Sequence, residues 1–91
     1  MKYSIKRTKQ FKKDYKLAKN RGFNMALIDN LINMLANGEP LAQKYKDHAL
    51  IGNYKGYREC HVTPDWLLIY RVDNNELILT LTHTGSHSDL F

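Results

Sequence analysis

The spacing of apolar residues at the start of the chain predicts a short strand followed by a helix. In the segment KYSIKR, Tyr3 and Ile5 alternate with polar residues, which is typical of a half-buried strand. A helix is then indicated by apolar residues at positions i, i+4 and i+7, namely Phe11, Tyr15 and Ala18. Thr8 is a suitable N-cap, and Gly22 is a suitable stop. The remaining positions of this helix are rich in lysine, so it is predicted to be basic and amphipathic.

A second helix is predicted in the segment MALIDNLINMLANG, after a short turn. Asn24 can cap its start, and Gly38 ends it shortly before Pro40. The predicted apolar stripe consists of Leu27, Leu31, Met34 and Leu35. Residues 39–56 show no sustained period and contain proline and glycine breaks. We therefore expect them to form a loop that crosses to the next strand.

The last part of the chain reads as three strands, YRECHV, WLLIYRV and ELILTLTH, separated by TPD and DNN. Together with the N-terminal strand they predict an α+β fold, in which two helices pack on one face of an antiparallel sheet of about four strands. The final segment, TGSHSDLF, is expected to be a turn or short helix. Residues 1–91 are thus predicted to form a single domain, with the opposite sheet face or its rim available to a ligand.

Strict alternation along the predicted hairpin bears on the position of His61. A two-residue loop at Pro64 and Asp65 pairs Val62 with Leu67. The face that includes His61 then also carries Tyr57, Glu59, Leu68, Tyr70 and Val72, and a turn at Asn74 and Asn75 adds Leu77, Leu79, Leu81 and His83. Because this is the more apolar face, the pattern favours a histidine at the edge of the core. A bulge near Gly56 or at the strand end would reverse the assignment.

Composition narrows the class of protein. The chain has 91 residues and one cysteine, Cys60, so it cannot form an internal disulfide. Its N-terminus shows no apolar signal segment, and no run is long enough to span a bilayer. The protein is therefore expected to be cytoplasmic and to have no membrane partner.

The positive charge is concentrated at one end of the chain. Nine of the fourteen basic residues precede position 22, against one acid, Asp14. The remainder of the chain holds five basic and eight acidic residues, so the net charge of +5 comes from this first segment. Such a cluster is typical of a protein that binds a polyanion, although a solvated helix face would give the same pattern.

The histidines lie in the other part of the chain, at positions 48, 61, 83 and 87. His48 is in the polar loop and His87 follows Gly85, so neither is required by a structural pattern. The sequence lacks the HxH, HExxH and CxxC spacings of common metal sites, so no metal ligand is predicted. Histidine is suited to acid–base catalysis near neutral pH. Combined with a polyanion-binding surface, this favours metal-independent cleavage of RNA, with the ribose 2′-hydroxyl as nucleophile.

Two segments, YKDHALIGNYKGYRECHVTPDWLLIYRV (45–72) and TGSHSDLF (84–91), closely resemble the YafQ branch of the RelE/ParE toxin superfamily. The resemblance extends over essentially the whole chain. It implies a type II toxin that acts as a ribosome-dependent endoribonuclease on messenger RNA and inhibits translation. The implied partners are the ribosome, the messenger and a cognate antitoxin, expected to be a DinJ-like protein of the ribbon-helix-helix class. No cofactor is implied.

The resemblance also implies roles for individual residues. The catalytic residues would be His48, His61, Asp65 and His87. Contacts to RNA would come from Trp66 and Phe91, which are suited to bases, and from Lys46, Lys55, Arg58 and His83. His83 stands where the family typically has an arginine, so it could stabilise the phosphate only when protonated. Docking to the ribosome would involve the first helix through Lys9, Lys12, Lys13 and Lys16.

Two other functions remain open at this stage. The first is a non-catalytic toxin of the same fold that acts by binding a protein such as a DNA topoisomerase, but the four histidines argue against it. The second is a stand-alone RNA-binding module. It is disfavoured because aromatic residues are not regularly interleaved with the basic ones.

Overall fold

A computed structural model describes residues 1–91. It contains three helices and five strands, and two short 3₁₀ turns lie on either side of the second strand. In chain order the helices and strands are β1 (Ser4–Arg7), α1 (Lys9–Asn20), α2 (Met25–Ala36), β2 (His48–Ala49), β3 (Arg58–Thr63), β4 (Trp66–Asp73), β5 (Ile78–Gly85) and α3 (His87–Leu90). No helix in the structure has the length and apolar character needed to cross a bilayer.

The two long helices begin where their caps predict. The Thr8 hydroxyl accepts a hydrogen bond from the Phe11 amide at 3.0 Å, and the Asn24 side chain accepts one from the Ala26 amide at 3.2 Å. The apolar stripe predicted for α2 is wrong in part, because Leu27 is 44% exposed. The buried stripe is Ile28, Leu31, Ile32, Leu35 and Ala36, which follows the helical spacing i, i+3, i+4, i+7 and i+8.

The sheet has five strands in the order β1-β5-β4-β3-β2, not the four that were predicted. The additional strand, β2, lies in the segment predicted to be a loop and pairs antiparallel with β3. With only two residues it is too short to show a hydrophobic period. The sheet is also mixed rather than antiparallel, because β1 pairs in parallel with β5. The helices between β1 and the later strands provide the crossover that parallel pairing requires.

A β-bulge changes the face on which His61 lies. The predicted two-residue turn at Pro64 and Asp65 is confirmed, since Thr63 pairs with Trp66. However, the next pair is His61 with Leu67, so Val62 is an extra residue in the ladder. Cys60, Leu68 and Tyr70 therefore face the helices and join their core. His61 and Glu59 point to the opposite face, so the prediction that His61 shares the apolar core face is wrong.

A second bulge separates His83 from the core. Tyr70 pairs with Leu81, but Ile69 pairs with His83, so an extra residue of β5 lies between the two pairs. The strict alternation that placed His83 on the same face as Leu79 and Leu81 is therefore broken. Both bulges lie at the end of the sheet that carries α3.

The segment before β2 is fixed to the sheet by a polar network around Asp47. Its carboxylate accepts a hydrogen bond from the Tyr70 hydroxyl and forms an ion pair with Arg58 at 3.1 Å. Tyr70 is fully buried, and burial together with the hydrogen bond to Asp47 raises the pKa of its phenol. Since Asp47 directly precedes His48, this network determines where the first histidine lies.

Tyr70→Phe should destabilise the fold more than Tyr3→Phe. Tyr70 donates to a charged carboxylate, so we expect a loss of about 1.5–3 kcal/mol in the free energy of unfolding. Tyr3 donates to the neutral Asn74 side chain at 2.7 Å, for which a loss of about 0.5–1.5 kcal/mol is expected. Urea denaturation of both variants measures the difference. Equal losses would show that the Asp47 network adds nothing beyond an ordinary hydrogen bond.

Candidate active site

The centre of the candidate site is a buried carboxylate between two histidines. Pairing of β2 with β3 places His48 opposite Glu59, and Glu59 and His61 share one face of β3. The Nε2 atoms of His48 and His61 lie 3.6 and 3.7 Å from Glu59 Oε1. Glu59 is only 6% exposed. A carboxylate this far from solvent attracts positive charge on either imidazole ring.

The backbone holds the other nitrogen of each ring. His48 Nδ1 lies 2.7 Å from the Lys46 carbonyl oxygen, and His61 Nδ1 lies 3.3 Å from that of Pro64. A carbonyl oxygen only accepts, so in both rings the Nδ1–H donates. Lys46 can turn its carbonyl toward His48 because its backbone is left-handed, with φ of 48°. Both rings are therefore oriented with Nε2 toward Glu59.

The short helix α3 brings His87 to the same place. His87 Nδ1 lies 3.4 Å from Asp65 Oδ1, and its ring centroid is 5.8 Å from that of His61. A capping box between Ser86 and Asp89 fixes the start of the helix. These hydrogen bonds to Ser86, followed by the ion pair with Arg21, lower the pKa of Asp89.

The structure thus brings together all four predicted catalytic residues, His48, His61, Asp65 and His87, on the sheet face away from the two long helices. Sequence reasoning assigned no role to Glu59, although it lies at the centre. The segment RECHV could have indicated this role, because Glu59 and His61 are two residues apart in a predicted strand. Residues i and i+2 of a strand point to the same side.

Two of the predicted RNA contacts lie away from this face. Trp66 is 3% exposed, its indole donates to Thr84 Oγ1 at 2.9 Å, and its ring packs edge-on against Phe23. A side chain so enclosed offers little ring surface to a base, so this conformation gives no support to the predicted base contact of Trp66. Arg58 pairs with Tyr70 in the sheet and binds Asp47, so it belongs to the core face.

The other predicted RNA contacts are accessible to different degrees. His83 is half-buried, and its Nδ1 lies 3.2 Å from the Asp14 carboxylate of α1. Lys46 and Lys55 are exposed on the segment around β2. Phe91 is also exposed, with its ring edge-on to Tyr54 at 5.6 Å. The predicted docking residues Lys9, Lys12, Lys13 and Lys16 all lie exposed on α1.

Neither the thiol nor the largest cavity belongs to the candidate site. Cys60 is buried in the core, where burial raises the pKa of its thiol, so it is not a nucleophile. The largest cavity, about 520 Å³, lies among β1, α1 and α2 and shares no residue with the histidine cluster.

Residues 3–91 match the family model described as the bacterial toxin YafQ of type II toxin-antitoxin systems. The chain belongs to the YafQ toxin family. The mRNA interferase toxin YafQ of Escherichia coli (strain K12) is 45% identical over 83 residues, which cover 90% of this chain and 88% of that protein.

Solved structures of similar toxins have the same fold. A chain in the crystal structure of the E. coli DinJ-YafQ complex is 42% identical, with a TM-score of 0.90 over 98% of both chains. A metal-bound toxin from Helicobacter pylori is 45% identical, with a TM-score of 0.92 over 98% of this chain and 99% of that one. These matches confirm the predicted α+β fold with two N-terminal helices on one sheet.

In this YafQ-family chain, one group of side chains has the composition of a metal site. The donor atoms of Glu59, His61 and His87 lie within 4.8 Å of one another. Imidazole nitrogens and a carboxylate suit Zn²⁺ or Cu²⁺. The same three groups are also those that could move protons, so a metal here and an acid–base reaction would compete for the same atoms.

Asp89→Ala should loosen α3 and with it His87. Because the pKa of Asp89 is lowered in the fold, its contribution is fully present above the unfolded value, about 3.9, and is lost as pH falls through the folded value. We expect lower amide protection factors at Leu90 and Phe91, corrected for the intrinsic pH dependence of exchange, in the variant at neutral pH and in the wild type at acid pH. Asp29→Ala, on α2, should leave these amides protected. Unchanged protection in Asp89→Ala would show that another contact holds α3.

Proposed function

We propose that this YafQ-family toxin is an endoribonuclease that cleaves messenger RNA on the ribosome by attack of the ribose 2′-hydroxyl. The observation that carries the proposal is the convergence of His48, His61 and His87 around Glu59 and Asp65 on one exposed sheet face. The name of the E. coli relative, mRNA interferase, supports the same activity. The alternative of a toxin that only binds a protein target gives no role to three imidazoles held next to carboxylates.

The reaction needs a base, an acid and positive charge. In the proposed mechanism one histidine removes the proton from the 2′-hydroxyl, whose oxygen attacks the adjacent phosphorus. A second histidine protonates the departing 5′-oxygen, and the product is a 2′,3′-cyclic phosphate. His61 and His87 are the proposed pair, because their ring centroids are only 5.8 Å apart. Glu59 and Asp65 would orient the two rings, and His48 would supply further positive charge beside Glu59.

The cations that stabilise the phosphorane-like transition state are proposed to be Lys46 and Lys55. Both are exposed, and Lys46 lies directly beside His48 through its carbonyl. Arg58 and His83 are weaker candidates, since each already faces a carboxylate, Asp47 and Asp14 respectively. Phe91 remains the proposed base contact, because its ring is exposed.

The proposed partners are the ribosome, messenger RNA and a cognate antitoxin. The relative in the E. coli structure forms a complex with DinJ, which supports a DinJ-like antitoxin of the ribbon-helix-helix class for this chain. The exposed lysines of α1, Lys9, Lys12, Lys13 and Lys16, are proposed to dock to ribosomal RNA through phosphate contacts. A function in translation would place the protein in the cytoplasm.

His61→Ala and His87→Ala should each reduce messenger cleavage by about 10²- to 10⁴-fold, because each removes a proton-transfer group. The matched control is Ser88→Ala, an exposed residue of α3 beside His87 that should retain activity. Cleavage is measured by primer extension on programmed ribosomes, and folding by circular dichroism. Growth arrest by a folded double variant would contradict catalysis and favour the non-catalytic toxin.

A messenger with a 2′-O-methyl nucleotide immediately 5′ of the scissile phosphate should bind but resist cleavage, because the nucleophile is blocked. The unmodified messenger should yield a 2′,3′-cyclic or 3′-phosphate end, identified by mass spectrometry. Cleavage should also survive EDTA when magnesium for the ribosome is supplied in controlled excess. A 3′-hydroxyl product, or loss of activity that added Zn²⁺ restores, would mean that a metal-bound hydroxide attacks instead.

A further inference from the structure

A cavity of about 330 Å³ adjoins His61 on the side of the hairpin that α3 does not reach. It is lined by Leu27, Lys44, Tyr45, Lys46, His61, Val62, Thr63 and Pro64. Its volume lies at the lower end of the range for ligand sites, about 300–1,000 Å³. None of the lining residues belongs to α3, so the cavity and His87 flank His61 on different sides.

The lining is suited to an anion that carries a flat apolar part. Two lysines, Lys44 and Lys46, stand at the cavity, and no carboxylate residue lines it. Leu27, Tyr45 and Val62 supply apolar surface. Leu27, in the first turn of α2, is 44% exposed. It lies on the side of the helix that does not pack against the core. A nucleotide combines these two features, because its phosphate binds cations and its base packs against an apolar or aromatic surface.

The cavity is built from the same backbone groups that orient the catalytic rings. Lys46, in its left-handed conformation, directs its carbonyl to His48, and Pro64 directs its carbonyl to His61. His61 and the bulge residue Val62 both line the cavity. A ligand in the cavity would therefore be held at a fixed position relative to both imidazoles, as a substrate group must be.

We propose that this cavity is a subsite for one nucleotide of the RNA substrate, next to the scissile phosphate. Its phosphate lies against Lys44 and Lys46, and its base lies against Leu27 and Tyr45. The proposal rests on the proposed RNA cleavage and adds three residues: Lys44 as a phosphate contact, and Leu27 and Tyr45 as the residues that determine which base is accepted at that position.

The first test is an NMR titration of the isolated protein with adenosine 3′-monophosphate and, separately, cytidine 3′-monophosphate. Saturable shifts are expected at amides 44–46 and 61–63. Leu27→Gln should weaken this binding by about five- to tenfold, because apolar contact is lost. Leu77→Gln is the matched control: Leu77 is also 44% exposed but lies in the β4–β5 turn, at the far end of the sheet. Absence of saturable shifts at these amides, or equal weakening by both variants, would overturn the subsite.

The second test uses single-stranded RNA that carries 2′-O-methyl groups and so stays intact. Lys44→Gln should reduce the slope of log affinity against log salt by about 0.7, the value for one phosphate contact on a single strand. Arg71→Gln, at an exposed basic residue of β4 outside both the cavity and the N-terminal basic cluster, should leave the slope unchanged. An unchanged slope in Lys44→Gln would mean that this lysine contacts no phosphate, which contradicts the subsite.

Cleavage on programmed ribosomes separates this proposal from the proposed function. In Leu27→Gln and Lys44→Gln the KM should rise while kcat changes little, and in Leu27→Gln the base preference at one position beside the cut should also weaken. If the wild type cuts messenger RNA and these variants keep its KM and base preference, the subsite is wrong and the activity stands. If the wild type binds nucleotides in the cavity but cuts no RNA, the proposed function is wrong.

Discussion

The side chain of His61 reaches the open face of the sheet because Val62 is an extra residue between two ladder pairs. A strand alternates its side chains with a period of two, so one inserted residue exchanges the faces of everything before it. Without the bulge, His61 would pair with Leu68 and face the helices, and Cys60 would face away from them. The core and the candidate active site therefore depend on the same irregularity, and neither could be moved independently of the other.

Glu59 imposes the second constraint. A carboxylate with 6% exposure must be compensated, since removing a charge from water costs several kcal/mol. Its nearest basic groups are His48 and His61, at 3.6 and 3.7 Å, and both rings also donate to backbone carbonyls. The Glu59 carboxylate and the two imidazole rings thus form one unit. Replacing a histidine removes a polar partner of the buried carboxylate, and replacing Glu59 removes a partner of both rings. Such mutual dependence makes the geometry rigid, which a proton-transfer site requires.

Features set by neighbouring residues could be predicted from the sequence, and features set across the sheet could not. The helices α1 and α2 follow from the caps Thr8 and Asn24 and from a local apolar period. The catalytic set His48, His61, Asp65 and His87 was expected from a family resemblance, and the structure brings those residues together.

The failures have a common cause. Strand β2 has two residues and no period, and both bulges depend on which strands pair and in which register. Trp66 was assigned to RNA through the family resemblance, but its burial depends on Phe23 and Thr84, which are distant in sequence. In α2, the choice between Leu27 and Ile28 as the inward residue is decided by how the helix lies on the sheet.

The helix α1, which carries five of the fourteen basic residues, is also a structural support of the site. Asp14 binds His83 and the Thr84 amide at the end of β5, each at 3.2 Å, and Arg21 pairs with Asp89 of α3 at the same distance. These contacts come from Asp14 within α1 and from Arg21 directly after it, whereas Lys9, Lys12, Lys13 and Lys16 stay exposed and make no such contacts. One helix can therefore serve two roles through different faces, a polyanion-binding surface outward and a brace for α3 inward. Because α3 carries His87, anything that displaces α1 would also change the distance between the two proposed catalytic histidines.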